Sequence, residues 1–163
     1  MKDYVAERWR TVLAAGQLVD FDALWQLEAG WFEEPNRRRG GWSGVSCCEL
    51  TLPEGGTRTV FLKRQENHKT FSWIHPVAGI PTFEREFQRI MHYRACGIPT
   101  LEPVYFAVRR LGKGHRAILA TEALTGFVSL EEQVQRWLRG GVPARVVRMP
   151  VLDAVASLLR TMH

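Results

Sequence analysis

The sequence has few cysteines, and none stands at a spacing that builds a structural framework. There are only three, and two of them, Cys47 and Cys48, are adjacent. Because successive residues of a strand face opposite sides of a sheet, we expect this pair to lie in a strand. No C-x-x-C pair is present. The cysteines therefore predict neither a disulfide-stapled fold nor a zinc site.

Long apolar runs are also missing. A transmembrane helix needs about 20 consecutive apolar residues, and no segment approaches that length. The first ten residues, M-K-D-Y-V-A-E-R-W-R, lack the apolar centre of a secretory signal. We therefore expect a cytosolic protein. Internal repeats and low-complexity segments are absent as well.

What is present is an ordinary globular composition with an excess of positive charge. The chain has 163 residues, 45% hydrophobic and 24% charged, which suits one domain, or one lobe and part of another. Its net charge of +5 favours anionic partners: nucleotide phosphates, anionic lipid or glycolipid, or nucleic acid. The charge alone does not choose among them. The densest basic segment, residues 37–39, is either a solvated loop or a phosphate-facing one.

The N-terminal part is predicted to be helical and to serve for packing. Apolar residues recur at helical spacing over residues 2–29, with a break near Gly16. Asp20 is the expected N-cap of the second helix. Strands follow: a short one at 31–33, then 47–52 and 57–63 joined by the turn Pro53-Glu54-Gly55-Gly56.

The segment from residue 60 to residue 93 carries the strongest functional signal. V-F-L-K predicts a strand that ends in Lys63, and T-F-E-R-E-F-Q-R-I-M-H-Y predicts an amphipathic helix capped by Thr82. Glu86 lies about 60° from Phe83 on the apolar side of that helix. A core-facing carboxylate is costly unless a cation meets it. Lys63 is the expected partner, and Glu84, nearer the margin of the stripe, is the less favoured carboxylate.

The rest of the chain predicts two more strands and two helices. Gly97 ends the helix after residue 82, and strands are expected at 100–110 and 115–121. An extended connector leads to a helix with a capping box from Ser129 to Glu132 that ends at residues 140–141. A last helix is predicted over residues 150–162.

A strand lysine paired with a helix glutamate is how protein kinases hold nucleotide phosphates. The alternative is a surface strand followed by a helix with charges at its edge. Longer motifs resemble the bacterial lipopolysaccharide kinase family, which includes InaA-type proteins and the lipopolysaccharide core heptose and Kdo kinases. The resemblance covers about residues 22–163. Its motifs are E-E-P-N-R-R-R-G-G-W-S-G-V-S (33–46), V-F-L-K-R-Q-E-N-H (60–68), G-I-P-T-F-E-R-E-F (79–87) and G-I-P-T-L-E-P-V-Y-F (97–106).

The resemblance implies a protein-kinase-like α+β fold that binds ATP with Mg²⁺. Lys63 would hold the α- and β-phosphates, and Glu86 would fix its direction. Glycines let backbone N–H groups approach phosphates closely. The loop over the phosphates would contain Gly40, Gly41, Ser43 and Gly44, with the Ser43 hydroxyl as a further donor. The adenine pocket would contain Val45 as an apolar contact, Thr121 at its back, and the backbone groups of Glu122 and Leu124.

The resemblance also implies a division of the chain. Residues 1–29 would be a helical extension and 30–121 a kinase-like N-lobe with an antiparallel sheet. Residues 122–128 would be the hinge connector, and 129–163 the start of a helical C-lobe. The acceptor would be a sugar of the lipopolysaccharide inner core, reached at the inner face of the cytoplasmic membrane.

Three features depart from the kinase pattern. Arg39 and Ser46 stand where the glycine-rich motif would have a glycine and a valine. Phe61 is bulkier than the alanine usual at its position and could crowd the adenine site. The family's catalytic and metal-binding aspartates would lie beyond His163, so we expect this chain to be an incomplete, inactive phosphotransferase with no metal ligand of its own.

Several other residues have side chains that could act in catalysis, metal binding or ligand binding, and most of them are expected to have structural or loop roles instead. Asp153 lies within the last predicted helix and is expected to be exposed rather than catalytic. His163 resembles a structural helix-end histidine of the family. His68 and His75 have no partner at metal-ligand spacing and are expected to be loop residues. Trp42 either covers a ligand at the tip of the glycine-rich loop or packs.

Two further classes of function remain open from the residues. The chain could be a kinase-like regulatory or scaffold module without chemistry, which Phe61 and the irregular glycine loop favour. It could also bind nucleic acid or an anionic surface, an alternative that rests only on the net charge and residues 37–39.

Overall fold

A computed structural model describes residues 3–38, 40–71 and 79–162. Its main element is one six-stranded antiparallel sheet in the order β1-β7-β8-β4-β3-β2. The strands of this sheet are β1 (Tyr4–Val5), β2 (Trp31–Asn36), β3 (Trp42–Thr51), β4 (Thr57–Glu66), β7 (Pro103–Leu111) and β8 (Gly114–Glu122). A separate pair contains β5 (Lys69–Thr70) and β6 (Ile80–Pro81).

Within the residues that the structure describes, five α-helices accompany the sheet. They are α1 (Arg10–Ala15), α2 (Phe21–Gln26), α3 (Thr82–Ala95), α4 (Leu130–Gly140) and α5 (Arg145–Met162), and a 3₁₀ turn, Glu7–Trp9, precedes α1. The mixed architecture with an antiparallel sheet agrees with the α+β prediction. No helix among the described residues has the length and apolarity that crossing a membrane requires.

Two helices form on either side of Gly16, as predicted, but they are shorter than the predicted span of residues 2–29. Asp20 caps α2, as predicted, by accepting a hydrogen bond from the Ala23 N–H at 2.9 Å. The residues before them differ from the prediction. Tyr4 and Val5 form a short edge strand that pairs with β7, not the beginning of a helix. A two-residue strand is too short to show a period of two in the sequence, so only the tertiary pairing reveals it.

The strands are longer than predicted at several ends. β3 begins at Trp42 rather than residue 47, and β4 continues to Glu66 beyond Lys63. The glycine-containing turn at 53–56 is confirmed, because Gly55 and Gly56 both take positive φ angles. A sheet whose neighbours are paired over ten residues extends strands into polar segments whose composition alone predicts loops.

Helix α3 begins differently from the prediction. Thr82 is its first helical residue rather than its cap, and the preceding Pro81 supplies no side-chain hydrogen bond. The Thr82 hydroxyl lies 3.0 Å from that of Thr70 instead. The end of the helix is as predicted, with Gly97 at a φ of 69° after Cys96.

The predicted capping box of α4 forms only in part. The Ser129 hydroxyl accepts from the Glu132 N–H at 3.0 Å, but the Glu132 carboxylate pairs with Arg136 instead of returning to the cap. The last helix, α5, starts at Arg145 and carries Pro150 in its interior, whereas the prediction placed Pro150 at its start. The proline removes the hydrogen bond to the carbonyl of Val146, whose residue is exposed and open to water.

Two hydrophobic clusters lie on opposite faces of the sheet. The larger joins the N-terminal helices to one face and contains, among others, Trp9, Leu13, Phe21, Leu24, Val60, Leu62 and Ile118. The smaller joins α3 to the other face through Phe83, Ile90, Phe106 and Leu119. By contrast, no residue of α4 or α5 is buried. We call the face under the N-terminal helices the closed face and the face under α3 the open face.

Candidate functional site

An ion pair between β4 and α3 is the centre of the open face. The Lys63 Nζ donates to Glu86 Oε1 at 2.5 Å, with 17% of the lysine side chain and 33% of the glutamate side chain exposed. The predicted partner is therefore confirmed as Glu86. A largely buried amine held by one carboxylate oxygen keeps two further N–H donors. These donors make the lysine a fixed cation that can bind an anion.

The register of the sheet explains which residues accompany Lys63. In antiparallel pairing, residues directly opposite each other share a face. Lys63 stands opposite Val45 on one side and Leu119 on the other. Ser43 stands opposite Gln65, two residues along β4, and so belongs to the same face. Of the predicted residues, Ser43, Val45, Lys63 and Glu86 thus meet on the open face.

The glycine-rich segment forms the hairpin between β2 and β3, as its position requires. Gly40 takes a φ of 75°, a conformation that side chains disfavour, and the Gly41 N–H closes the turn on the Arg38 carbonyl at 3.1 Å. A Cβ on Gly41 would lie 2.1 Å from the Glu66 carbonyl oxygen. The hairpin tip therefore packs directly against the end of β4, close beyond Lys63.

Gly44 lies in β3, and the structure gives a different reason for its glycine. Its register partner is Arg64, on the closed face. A Cβ at Gly44 would lie 2.7 Å from the ring of Trp31. The absent side chain thus makes room for an aromatic ring on the closed face, so the position does not need a phosphate to explain it.

An aromatic pair stands beside the lysine on the open face. Phe61, two residues before Lys63, contacts Phe32 of β2 with ring centroids 4.9 Å apart, and Phe32 is 63% exposed. Phe61 also stands opposite Cys47 and Thr121 in the register. Cys47 is exposed and Thr121 is fully buried. The predicted crowding of this region by Phe61 therefore includes a second ring that the sequence did not indicate.

The first residues of the connector after β8 differ in whether their backbone N–H groups are already bonded. The Glu122 N–H is already donated to the Glu102 carbonyl at 2.9 Å, and the Ala123 N–H to the Thr59 carbonyl at 2.9 Å. The Leu124 N–H donates to no acceptor within residues 3–38, 40–71 and 79–162. The Glu122 side chain turns to the closed face, where it pairs with Arg58 and Arg8. The Glu122 carboxylate is therefore not available to the open face.

The closed face holds a buried arginine that has a structural role. Arg64 donates to the carbonyls of Trp25 and Leu27 and to the Ser46 hydroxyl, each at 2.9 Å, and its guanidinium lies over the Trp31 ring. Burial lowers its pKa from the usual arginine value. These contacts fix the end of α2 to β4 and hold the guanidinium on the closed face, away from Lys63.

Trp42 packs on the closed face as well. Its ring lies 5.6 Å from Trp25 and 6.0 Å from Trp31 between centroids. This placement supports the packing alternative over a ligand-covering role. His68 is a buried loop residue whose Nδ1 lies 3.0 Å from the Thr82 hydroxyl.

The remaining candidate residues of the sequence analysis form no site among the described residues. Arg39, His75 and His163 lie outside the described residues. Asp153 is exposed on α5, as expected. Within the described ranges, no group of three or more histidine, cysteine, aspartate or glutamate side chains could hold a metal ion.

Sequence reasoning missed two residues that the structure adds to the site. Gln65 links β4 to the first turn of α3, and Phe32 covers Phe61. If the strand continues past Lys63, the motif K-R-Q places Gln65 on the same face as Lys63, and that spacing is the one signal in the sequence that could have indicated the link.

An antiparallel sheet with a strand lysine bonded to a glutamate of the helix behind it is the arrangement found in proteins with a kinase-like fold. A solved structure, WaaP in complex with acyl carrier protein, shares this fold with a TM-score of 0.64 at 22% identity. The match covers 100% of this chain and 57% of that one.

The sequence comparisons identify the family. The model of the lipopolysaccharide kinase (Kdo/WaaP) family matches residues 22–163. Protein InaA of Escherichia coli (strain K12) is 31% identical over 144 residues, which are 88% of this chain and 63% of InaA. The chain therefore belongs to the lipopolysaccharide kinase (Kdo/WaaP) family. It spans about 60% of the length of the relatives it matches.

Proposed function

We propose that this chain is the ATP-binding part of a lipopolysaccharide-kinase-like phosphotransferase. The observation that carries the proposal is the 2.5 Å bond from Lys63 to Glu86, formed across a strand and a helix within a kinase family. The acceptor would be a hydroxyl of a lipopolysaccharide inner-core sugar. In this division, residues 30–121 act as an N-lobe, 122–128 as a hinge and 129–163 as the start of a C-lobe, after the helical extension of residues 1–29.

The open face offers groups that fit an adenine nucleotide. Lys63 supplies a fixed cation for the α- and β-phosphates, and Glu86 keeps its amine from swinging to solvent. The Leu124 N–H supplies a donor at the position where the family resemblance places the adenine edge. ATP bound there with Mg²⁺ would supply the γ-phosphoryl group for transfer.

The positive charge of the chain fits its proposed surroundings. Arg37 and Arg38 are both exposed beside the hairpin tip, and the whole chain carries a net charge of +5. Positive charge favours approach to anionic lipid and glycolipid surfaces. We therefore propose a cytoplasmic location with peripheral contact at the inner face of the membrane. Because the related WaaP was solved with acyl carrier protein, that protein is also a proposed partner.

A second function is favoured by one observation. Phe32 and Phe61 occupy the open face next to Lys63, where the resemblance places the base. If both rings remain there, the domain serves as a regulatory or scaffold module that binds no nucleotide. Nucleotide binding therefore separates the two functions directly.

The test is a calorimetric titration of Mg²⁺-ATP into the wild type, Lys63→Ala and Lys113→Ala. Lys113 is a matched control because it is an exposed lysine in the turn between β7 and β8. We expect Lys63→Ala to weaken binding about 100-fold or more, which corresponds to about 3 kcal/mol for the removal of a charged hydrogen-bond donor. Lys113→Ala should bind as the wild type does. Equal affinity in all three proteins would contradict the role of Lys63, and no binding to any would favour the scaffold module.

A further inference from the structure

The first turn of α3 is tied to β4 by a second link besides the ion pair. Gln65 is fully buried, and its side-chain amide makes two hydrogen bonds. Its Oε1 accepts from the Phe83 backbone N–H at 2.8 Å, and its Nε2 donates to the His68 carbonyl at 2.5 Å. The two partners fix the orientation of the amide, since one is a donor and the other an acceptor.

Helix α3 needs this bond because it has no cap of its own. The first four N–H groups of a helix have no intrahelical acceptor. Pro81 precedes the helix and contributes no side-chain hydrogen bond. Phe83 is the second helical residue, and its N–H would be buried and unpaired without Gln65. The strand therefore supplies the cap that the helix lacks.

The geometry links this cap to the ion pair. Gln65 follows Lys63 by two residues on one face of β4, a separation of about 7 Å. Glu86 follows Phe83 by three residues on α3, a rise of about 4.5 Å, slightly less than one turn. The bonds Lys63–Glu86 and Gln65–Phe83 thus join the same strand to the same helix at two neighbouring points. One link leaves the helix free to pivot about its point of attachment, whereas two neighbouring links also restrict its orientation against the strand.

We propose that Gln65 is a positioning residue. It holds α3 in the orientation in which Glu86 meets Lys63. The positioning of Glu86 does not depend on the proposed function. Its consequence does: if the chain binds ATP, Glu86 orients the Lys63 amine for the phosphates before the nucleotide binds. The adjoining loop supports the same arrangement. The His68 carbonyl also accepts from the Thr82 N–H at 3.2 Å, and the Thr82 hydroxyl lies 3.0 Å from that of Thr70.

The first test needs no nucleotide. Lys63 in the wild type, Gln65→Leu, Glu86→Gln and Ile90→Val is acylated with an amine reagent, and each lysine is quantified by mass spectrometry. Ile90→Val is the control because Ile90 is a buried residue of α3 that lies one turn beyond Glu86. Lys113, exposed in its turn, normalises the rates.

We expect Gln65→Leu to raise the Lys63 rate about fivefold, close to the effect of Glu86→Gln, since either change frees the amine from its carboxylate. Ile90→Val should leave the rate within about twofold of the wild type. A Lys63 rate at the wild-type value in Gln65→Leu overturns the proposal, whatever Glu86→Gln does. An equal rise in Ile90→Val also overturns it, because the effect would then follow from a weaker helix in general.

A second variant keeps the test valid if Gln65→Leu does not fold, which thermal unfolding reveals. Gln65→Met keeps the unbranched shape of the side chain and removes the amide that accepts from the Phe83 N–H and donates to the His68 carbonyl. We expect it to raise the Lys63 labelling rate about fivefold, as Gln65→Leu does. A wild-type rate in this folded variant would overturn the proposal equally.

The nucleotide arm distinguishes this inference from the proposed function. We expect Gln65→Leu to weaken Mg²⁺-ATP binding about tenfold in the wild-type background and by less than about twofold in a Glu86→Gln background, because Gln65 acts through Glu86. Additive losses would contradict that pathway. If the wild type binds no nucleotide, the proposed function fails, while the labelling rates still decide the role of Gln65.

Discussion

The two faces of the six-stranded sheet are covered in different ways. The closed face lies under the N-terminal helices, with Leu62 buried and Arg64 held by three hydrogen bonds. The open face is covered by α3 on one side only, and Phe61, Phe32 and Cys47 beside it retain exposed surface. The comparison indicates that one face stabilises the fold while the other is left accessible beside a fixed lysine.

The largest effect is expected on the closed face. Leu62→Ala should lower the free energy of unfolding by about 3 kcal/mol, because it removes a side chain that is only 1% exposed and leaves a cavity. Chemical denaturation measures this loss. At a temperature where the variant remains folded, its nucleotide affinity should match the wild type. A stability loss below about 1 kcal/mol would contradict the assignment of this face as the core.

Phe61, the neighbouring residue on β4, should affect nucleotide affinity more than stability. Phe61→Ala should cost less stability than Leu62→Ala and should raise Mg²⁺-ATP affinity about fivefold, because it clears space beside Lys63. Parallel denaturation and titration of the two variants make the comparison. Phe32→Ala removes the other ring of the same contact and should shift affinity in the same direction. A fall in affinity would instead show that the base needs the Phe61 ring.

The ion pair was predictable from the sequence for a physical reason. A carboxylate on the apolar stripe of a helix demands a cation, and the chain offers Lys63 at the end of a preceding strand. The cap of α2 by Asp20 was equally local, since a cap acts within three residues. Features that depend on short-range periodicity or on a single costly group can be identified from the amino-acid sequence alone.

The residues that the sequence did not reveal depend on register between distant segments. Gln65 reaches Phe83 across 18 residues, and no local pattern distinguishes it from a solvent-exposed glutamine. Phe32 meets Phe61 only because the irregular pairing of β2 and β3 turns it to the open face. Gly44 is glycine because of Trp31, a contact that the glycine-rich motif does not indicate.

The most direct test of the open face uses its own cysteine. Cys47 is exposed and stands opposite Phe61, whereas Cys96 is exposed at the far end of α3 and serves as an internal control. The buried Cys48 faces the other way, and burial raises the pKa of its thiol. Alkylation of each thiol is followed by mass spectrometry with and without Mg²⁺-ATP, in the wild type and in Lys63→Ala. We predict that nucleotide slows alkylation of Cys47 at least about fivefold in the wild type only and leaves Cys96 unchanged. Equal protection of both cysteines, or none at Cys47 at a saturating nucleotide concentration, would contradict a nucleotide site beside Lys63.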